Sequence, residues 1–292
     1  MSLGRHHVEQ VMGMAVSIDL VEQPPPGLLA EVLAWLHHVD AVFSPYIDDS
    51  IISKLGRDDL RASDFLGDDE IDDEVREVLL RCDDLRIETG GVFDPWKVPA
   101  PNGTMFDPSG FVKGWAVERA AEMFAARGVP NCCINAGGDI ALRGQREPGA
   151  AWRVGIRHPD DPMSIALALE LTGPIGIATS ATYERGAHIV DPRTGQPATP
   201  VASATVVGRD LADADAYATT LFVMGVDGLN WLQDHTEYQG YVITHEGHTY
   251  FTPGFTPGFT PGFTRGVTPG FGETPPSSGG RTCRNIESSN RS

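Results

Sequence analysis

Thiols are scarce in this chain. Four cysteines, at 82, 132, 133 and 283, stand among 292 residues and none has CxxC spacing, so no paired-thiol metal or redox motif is written into it. Adjacent Cys132 and Cys133 on a strand would point to opposite faces, and all four are expected to be reduced thiols. Positive charge is scarce too: 22 Lys and Arg face 40 Asp and Glu, a formal net charge of -18 at pH 7. That balance argues against generic nucleic-acid binding, which needs clustered cations to displace counterions. No apolar run is long enough to span a bilayer, and MSLGRHHVEQVMGM has no apolar stretch of signal-peptide length. The chain as given is therefore expected to be cytoplasmic, or extracytoplasmic if an export segment has been trimmed away.

What is present suffices for a folded core. Hydrophobic residues make up 41% of the chain, enough for one large core or two modest ones. Much of the acidity is local, between Asp58 and Asp84, and is expected to be the solvated face of a helix with Ile71, Val75, Val78 and Leu79 turned inward. Residues 8–20 alternate as one strand would, and Pro24-Pro25-Pro26-Gly27 introduces a helix with Leu28, Leu29, Val32, Leu36 and Val39 on its apolar face. Val92-Phe93-Asp94-Pro95 follows Thr89-Gly90-Gly91 as a turn. Strands are predicted at 152–156, 165–171, 175–179 and 202–207, a helix at 210–224, a second near 227–233, and a closing hairpin around 241–251. Helices and strands interleave irregularly, so the expected class is α+β, a mixed, mainly antiparallel sheet core with packed helices. From residue 251 the phrase Phe-Thr-Pro-Gly repeats. Pro and Gly at that density support neither helix nor central strand. The expected organisation is one domain over 1–250 and a disordered tail over 251–292, whose regular phenylalanines could dock on a partner.

Two stretches carry chemistry. In DPSGFVKGWAVERAAEMFAARGVPNCCINAGGD, residues 107–139, Asp107 precedes Ser109-Gly110, then Lys113-Gly114, at the start of an amphipathic run. An acceptor, bare backbone and a cation at a helix start suit a phosphorylated ligand. Trp115, Val117, Ala120, Ala121, Phe124 and Ala125 return to one face, while Glu118, Arg119 and Glu122 lie off it, and Gly128 stops the helix. A buried strand at 132–134 leads to a tight turn, Asn135-Ala136-Gly137-Gly138-Asp139. In the second stretch, Asp215 and Thr219 stand four apart, so on a helix their oxygens lie one turn from each other, and a carboxylate and a hydroxyl stacked on small alanines suit a hard cation such as Mg2+. The same spacing also occurs as a surface Asp beside a back-bonding Thr. Upstream, ATSATYERGAHIVDPRTGQP places His188 beside an Asp-Pro-Arg-Thr-Gly turn. A histidine there could act as general base, or be structural.

Taken together and in order, TGGVFDP, DPSGFVKGWAVERAAE, NAGGD, ATSATYERGAHIVDPRTGQPA and DADAYATTLFVMG resemble the ApbE-type FAD:protein FMN transferases over about residues 8–250. The resemblance implies a Mg2+-dependent enzyme that takes FAD as substrate, splits its pyrophosphate, and attaches FMN through a phosphoester to a Thr or Ser of a target flavoprotein with an FMN-binding domain, releasing AMP. Mn2+ is an alternative ion, since hard oxygen sites discriminate weakly between the two. By the same resemblance Asp215 and Thr219 match the metal-binding side chains, and Gly110 matches the position that offers a backbone carbonyl. Met12, Tyr46, Val92, Phe93, Asp94, Asp107, Lys113 and Ile189 match FAD-contacting positions. His188 is the implied base, with Asp215 as the second candidate. The pattern is a compact version: only WKVPAPNGTMF separates Pro95 from Asp107, and the His pair often seen before Ile-Asp-Pro is reduced to Ala187-His188. Two other functions use the same residues, a Mg2+-dependent FAD pyrophosphatase giving FMN and AMP, and a non-catalytic FAD-binding protein.

Overall fold

A computed structural model describes residues 5–65, 67, 70–182 and 189–255. The N-terminal segment that alternates like one strand is a hairpin, β1 (Arg5–Val11) and β2 (Met14–Leu20). Met12 and Gly13, both at positive φ (53° and 70°), turn the chain between them, and with Val11 opposite Met14 the alternation continues unbroken through the turn. Helix α1 (Leu28–Phe43) follows and buries Leu28, Val32, Leu36 and Val39 as expected, with Leu29 only partly buried and Val42 and Phe43 added to the stripe. After α2 (Ile51–Gly56) comes the acidic helix α3 (Glu70–Glu88). Val75 and Val78 are buried in it as expected and Leu79 partly so, but Ile71, one turn earlier, is 41% exposed, because the core beneath α3 begins only at Val75.

Helix α4 (Ser109–Ala126) leads into β3 (Cys132–Ala136) and β4 (Asp139–Arg143), joined by Gly137-Gly138. The hairpin of β5 (Trp152–Arg157) and β6 (Ile165–Leu171) comes next, then β7 (Ile175–Ala181), the short pair β8 (Val190–Asp191) and β9 (Gln196–Pro197), and β10 (Ser203–Gly208). Helices α5 (Leu211–Met224) and α6 (Gly228–Leu232) and strands β11 (Tyr238–Ile243) and β12 (Thr249–Phe251) complete the described chain. Eight strands form one sheet in the order β1-β2-β3-β4-β7-β10-β11-β12, antiparallel at every pairing. The α+β expectation therefore holds, with an antiparallel core. Among the described residues no helix is long and apolar enough to cross a membrane.

Alternation along the strands divides the interior in two. Ile18, Cys132, Ile134, Ala178, Ala204 and Val206 pack against α1, α4 and α5, while Cys133, Ile140, Leu142, Ile177 and Val207 pack against the β5–β6 hairpin. Cys132 and Cys133 thus do point to opposite faces. Both are buried and neither is in a disulfide, and burial pushes the Cys132 thiol up to about 12, leaving it protonated and inert. Cys283 lies outside the described residues. At the other end, the tail expected from residue 251 begins inside the fold: Phe251 closes β12, and Thr252 and Phe255 are each 2% exposed. Residues 256–292 lie outside the described set.

One departure from periodicity matters to the site. Glu118 was expected on the open side of α4, yet it is buried, because α4 is covered by α1 on one flank and α5 on the other, over the sheet. Its carboxylate pairs with Arg143 of β4 and accepts the N–H of Leu211 at 3.1 Å, tying α4 to the first turn of α5. Burial pushes the Glu118 carboxyl above its ordinary value and Arg143 opposes that rise. Arg143→Met removes the opposing cation and is expected to cost about 3–5 kcal/mol at pH 7. A carboxyl whose folded pKa exceeds its unfolded value binds more protons when folded, so its penalty grows as pH rises through the carboxylate range. Urea titrations of the variant should show a smaller loss at pH 4 than at pH 7; equal losses would show that Glu118 is not the group left unpaired.

Candidate functional site

The sequence-selected residues converge. Met12, Tyr46, Val92, Phe93, Asp94, Asp107, Gly110, Lys113, Ile189, Asp215 and Thr219 all line one cleft of about 1180 Å³, above the range of about 300–1,000 Å³ usual for small-ligand pockets and roomy enough for a dinucleotide. His188 lies outside the described residues.

The floor of the cleft is the crossing of α4 and α5. Asp107 accepts the Ser109 N–H at 2.9 Å, an Asx turn that leads the chain into α4. Lys113, one turn in, forms ion pairs with Asp139, at the start of β4, and with Asp215 at 3.8 Å. Helix α5 is started by Asp210, which accepts the N–H groups of Ala212 and Asp213. Asp215, 3% exposed, accepts the Gly114 N–H at 3.1 Å. In a regular helix that N–H closes on the carbonyl of Gly110, so Asp215 competes with Gly110 for the same donor.

Thr219 lies one turn along α5 from Asp215, its hydroxyl 3.3 Å from that of Ser180 on β7. The back-bonding threonine is its neighbour: Thr220 Oγ1 donates to the Ala216 carbonyl at 2.9 Å, which leaves Thr219 facing the cleft. Gly110 is close by, since a Cβ placed on it would stand 3.6 Å from Thr219 Oγ1 and 3.2 Å from the Phe93 ring. A carboxylate, a hydroxyl and a nearby helix-start carbonyl are hard oxygen donors, and Asp139 and Asp215 bring two buried carboxylates to one lysine. Residual negative charge and oxygen donors fit a divalent hard cation. Among the described residues there is no cluster of three or more His, Cys, Asp or Glu that could hold a metal ion.

The walls are apolar and aromatic. Thr89 Oγ1 accepts the Phe93 N–H at 3.0 Å and holds that ring, 5% exposed, against Gly110. Asp94 accepts the Trp96 N–H at 3.2 Å and pairs with Lys97. Tyr46, 66% exposed, stands at the rim. Met12 is held in its turn by an N–H donated to Asp40 Oδ2 at 3.2 Å. The short connection after Pro95 contributes Val98, Pro99 and Pro101 and is tied down by Asn102, which donates to Ser53 Oγ at 2.8 Å.

Sequence reasoning did not select Asp139, Asn135, Ser180 or Asp40 as site residues. Asp139 was legible in part, as an acid directly after two glycines. Asn135 accepts the Gly138 N–H at 2.9 Å and shapes that turn. Asp40 carries no signal, being one acid of a helix whose apolar stripe accounts for its pattern.

The model of the ApbE family matches residues 12–102 and 96–242. Among curated relatives, the FAD:protein FMN transferase of Vibrio cholerae serotype O1 is 37% identical over 129 residues, 41% of this chain and 38% of the relative. The transferase of the same name from Treponema pallidum is 31% identical over 176 residues, 53% of this chain and 49% of the relative. The chain thus spans less than half the length of either. In three dimensions, the flavin transferase ApbE from Vibrio cholerae superimposes with a TM-score of 0.73 at 23% identity over 87% of this chain and 98% of that one. An ApbE protein from Thermotoga maritima gives 0.72 at 21% identity over 86% and 97%.

Proposed function

The chain belongs to the ApbE family, and from that premise we propose that it is a Mg2+-dependent transferase that moves FMN from FAD to a Thr or Ser hydroxyl of a target flavoprotein with an FMN-binding domain, releasing AMP. The observation that carries this is the convergence of the flavin-contact and metal-ligand candidates, from segments as distant as Met12 and Thr219, on one cleft. Supporting it, relatives at 37% and 31% identity bear the name FAD:protein FMN transferase.

In the proposed reaction Asp215, Thr219 and the Gly110 carbonyl would hold Mg2+, which would supply positive charge to offset that of the pyrophosphate and of the departing AMP. Mn2+ would suit the same donors. Phe93, Tyr46 and Met12 contact the flat rings of FAD. Lys113, with its three N–H donors, turns one toward a phosphate oxygen. The acceptor hydroxyl oxygen bonds to the FMN phosphorus as the bond from that phosphorus to the AMP oxygen breaks. Its proton goes to His188, or to Asp215 as the second candidate base.

The purified chain incubated with FAD and Mg2+ should release AMP only with an FMN-binding-domain acceptor, in step with flavin that stays on the acceptor through a denaturing gel. AMP with free FMN in the absence of acceptor would make it a pyrophosphatase; bound FAD with neither product would make it a carrier.

A further inference from the structure

The first unit of the C-terminal repeat is seated in the domain, and each of its residues has a physical reason to be there. Phe251 pairs with Tyr241 across β12 and β11. Thr252 donates its N–H to the Gly240 carbonyl at 3.0 Å, its hydroxyl accepts the Gly240 N–H at 3.0 Å, and that hydroxyl donates to Gln239 Oε1 at 2.6 Å. Pro253 is the second residue of a turn closed by Phe255 N–H on the Thr252 carbonyl at 2.9 Å, where its fixed φ fits. A Cβ on Gly254 would stand 2.6 Å from Gln239 Oε1 and push that amide off Thr252. Phe255 stacks on Tyr241, ring centroids 5.4 Å apart, and is 2% exposed among the side chains under the β5–β6 hairpin.

This five-residue phrase, Phe-Thr-Pro-Gly-Phe, occurs twice more without change, at 255–259 and 259–263. We propose that Gln239, Gly240 and Tyr241 form a recognition site for the phrase, and that the two later copies are alternative occupants, so the tail latches the domain and can slide in four-residue steps. Sliding lengthens the loop after β11 by four or eight residues, and closure entropy rises only with the logarithm of length. The first unit remains the favoured occupant because Thr249 and Tyr250 pair with β11, and sliding would put Pro and Gly in their places.

The test uses the full chain. Phe255→Ala spoils the first two copies and leaves 259–263 whole, whereas Phe259→Ala/Phe263→Ala/Phe271→Ala leaves only 251–255 whole. The triple variant should melt like the parent, Phe255→Ala about 3 °C lower, and the quadruple variant roughly 10 °C lower, the loss of a buried phenylalanine with no substitute. Exchange protection of the Gly240 N–H should survive in Phe255→Ala, a readout that stands even if the quadruple variant does not fold. A Phe255→Ala midpoint as low as the quadruple's, or loss of that protection, overturns the proposal. Rescue that grows with protein concentration and accompanies a dimer would give the site to a second copy's tail and overturn sliding within one chain.

Discussion

Asp215→Asn is expected to lower FMN transfer at least about 10³-fold, the loss that follows from its proposed role as a charged ligand of the divalent ion, while the chain stays folded. Asparagine keeps the size of the side chain and an oxygen to accept the Gly114 N–H, now at 3.1 Å. It removes the negative charge that faces Lys113 and, in the proposed reaction, the divalent ion. Circular dichroism should therefore be unchanged and the melting point should move only a few degrees, whereas AMP release from FAD should fall to background and calorimetric Mg2+ binding should weaken sharply. Near-normal FMN transfer by a folded Asp215→Asn protein would sink both the metal and the base assignment for this residue.

Gly114→Ala should damage stability and activity together. A Cβ at this position would lie 2.6 Å from the Leu211 carbonyl oxygen, 2.9 Å from Asp215 Cβ and 3.0 Å from Ala212 Cα. Two of these are backbone atoms of α5 that no rotamer change can move, so the helices must separate. Overpacking of this kind costs about 1–3 kcal/mol, or roughly 3–10 °C for a domain of this size. Separation also carries Asp215 and Thr219 away from Gly110 and Lys113, and a misplacement near 1 Å is worth about 10² in rate. Gly110→Ala is the comparison: its Cβ meets the Phe93 ring at 3.2 Å and Thr219 Oγ1 at 3.6 Å, side-chain atoms with some freedom to yield, so it should melt closer to the parent. A Gly114→Ala protein that melts and reacts like the parent would show that the crossing is not what sets the site.

How much of this was legible depended on whether a residue's partner was near in sequence. Asp215 and Thr219 were legible because a helix stacks positions four apart on one side, whatever surrounds it. Lys113-Gly114 was legible as a cation with bare backbone at a helix start, but the carboxylate that holds Lys113 belongs to Asp139, beyond the next turn. The Met12-Gly13 turn was hidden because a two-residue turn preserves alternation, and methionine does not announce a positive φ. Glu118 was misplaced because periodicity identifies one apolar side of a helix and cannot tell that α5 will cover the opposite flank.

By itself the sequence determined the helices α1, α4 and α5, the opposed faces of Cys132 and Cys133, the one-turn stacking of Asp215 and Thr219 on α5 and the family resemblance, since each rests on local spacing or on motifs in fixed order. Only the tertiary structure decided that residues from Met12 to Thr219 share one cleft, that Glu118 needs Arg143, that Gly114 is where α4 and α5 touch, and that the first repeat unit belongs to the core. These depend on which surfaces meet after strands distant in the chain have paired. No local period records that, because the free energy that selects it is released only when the layers close on each other.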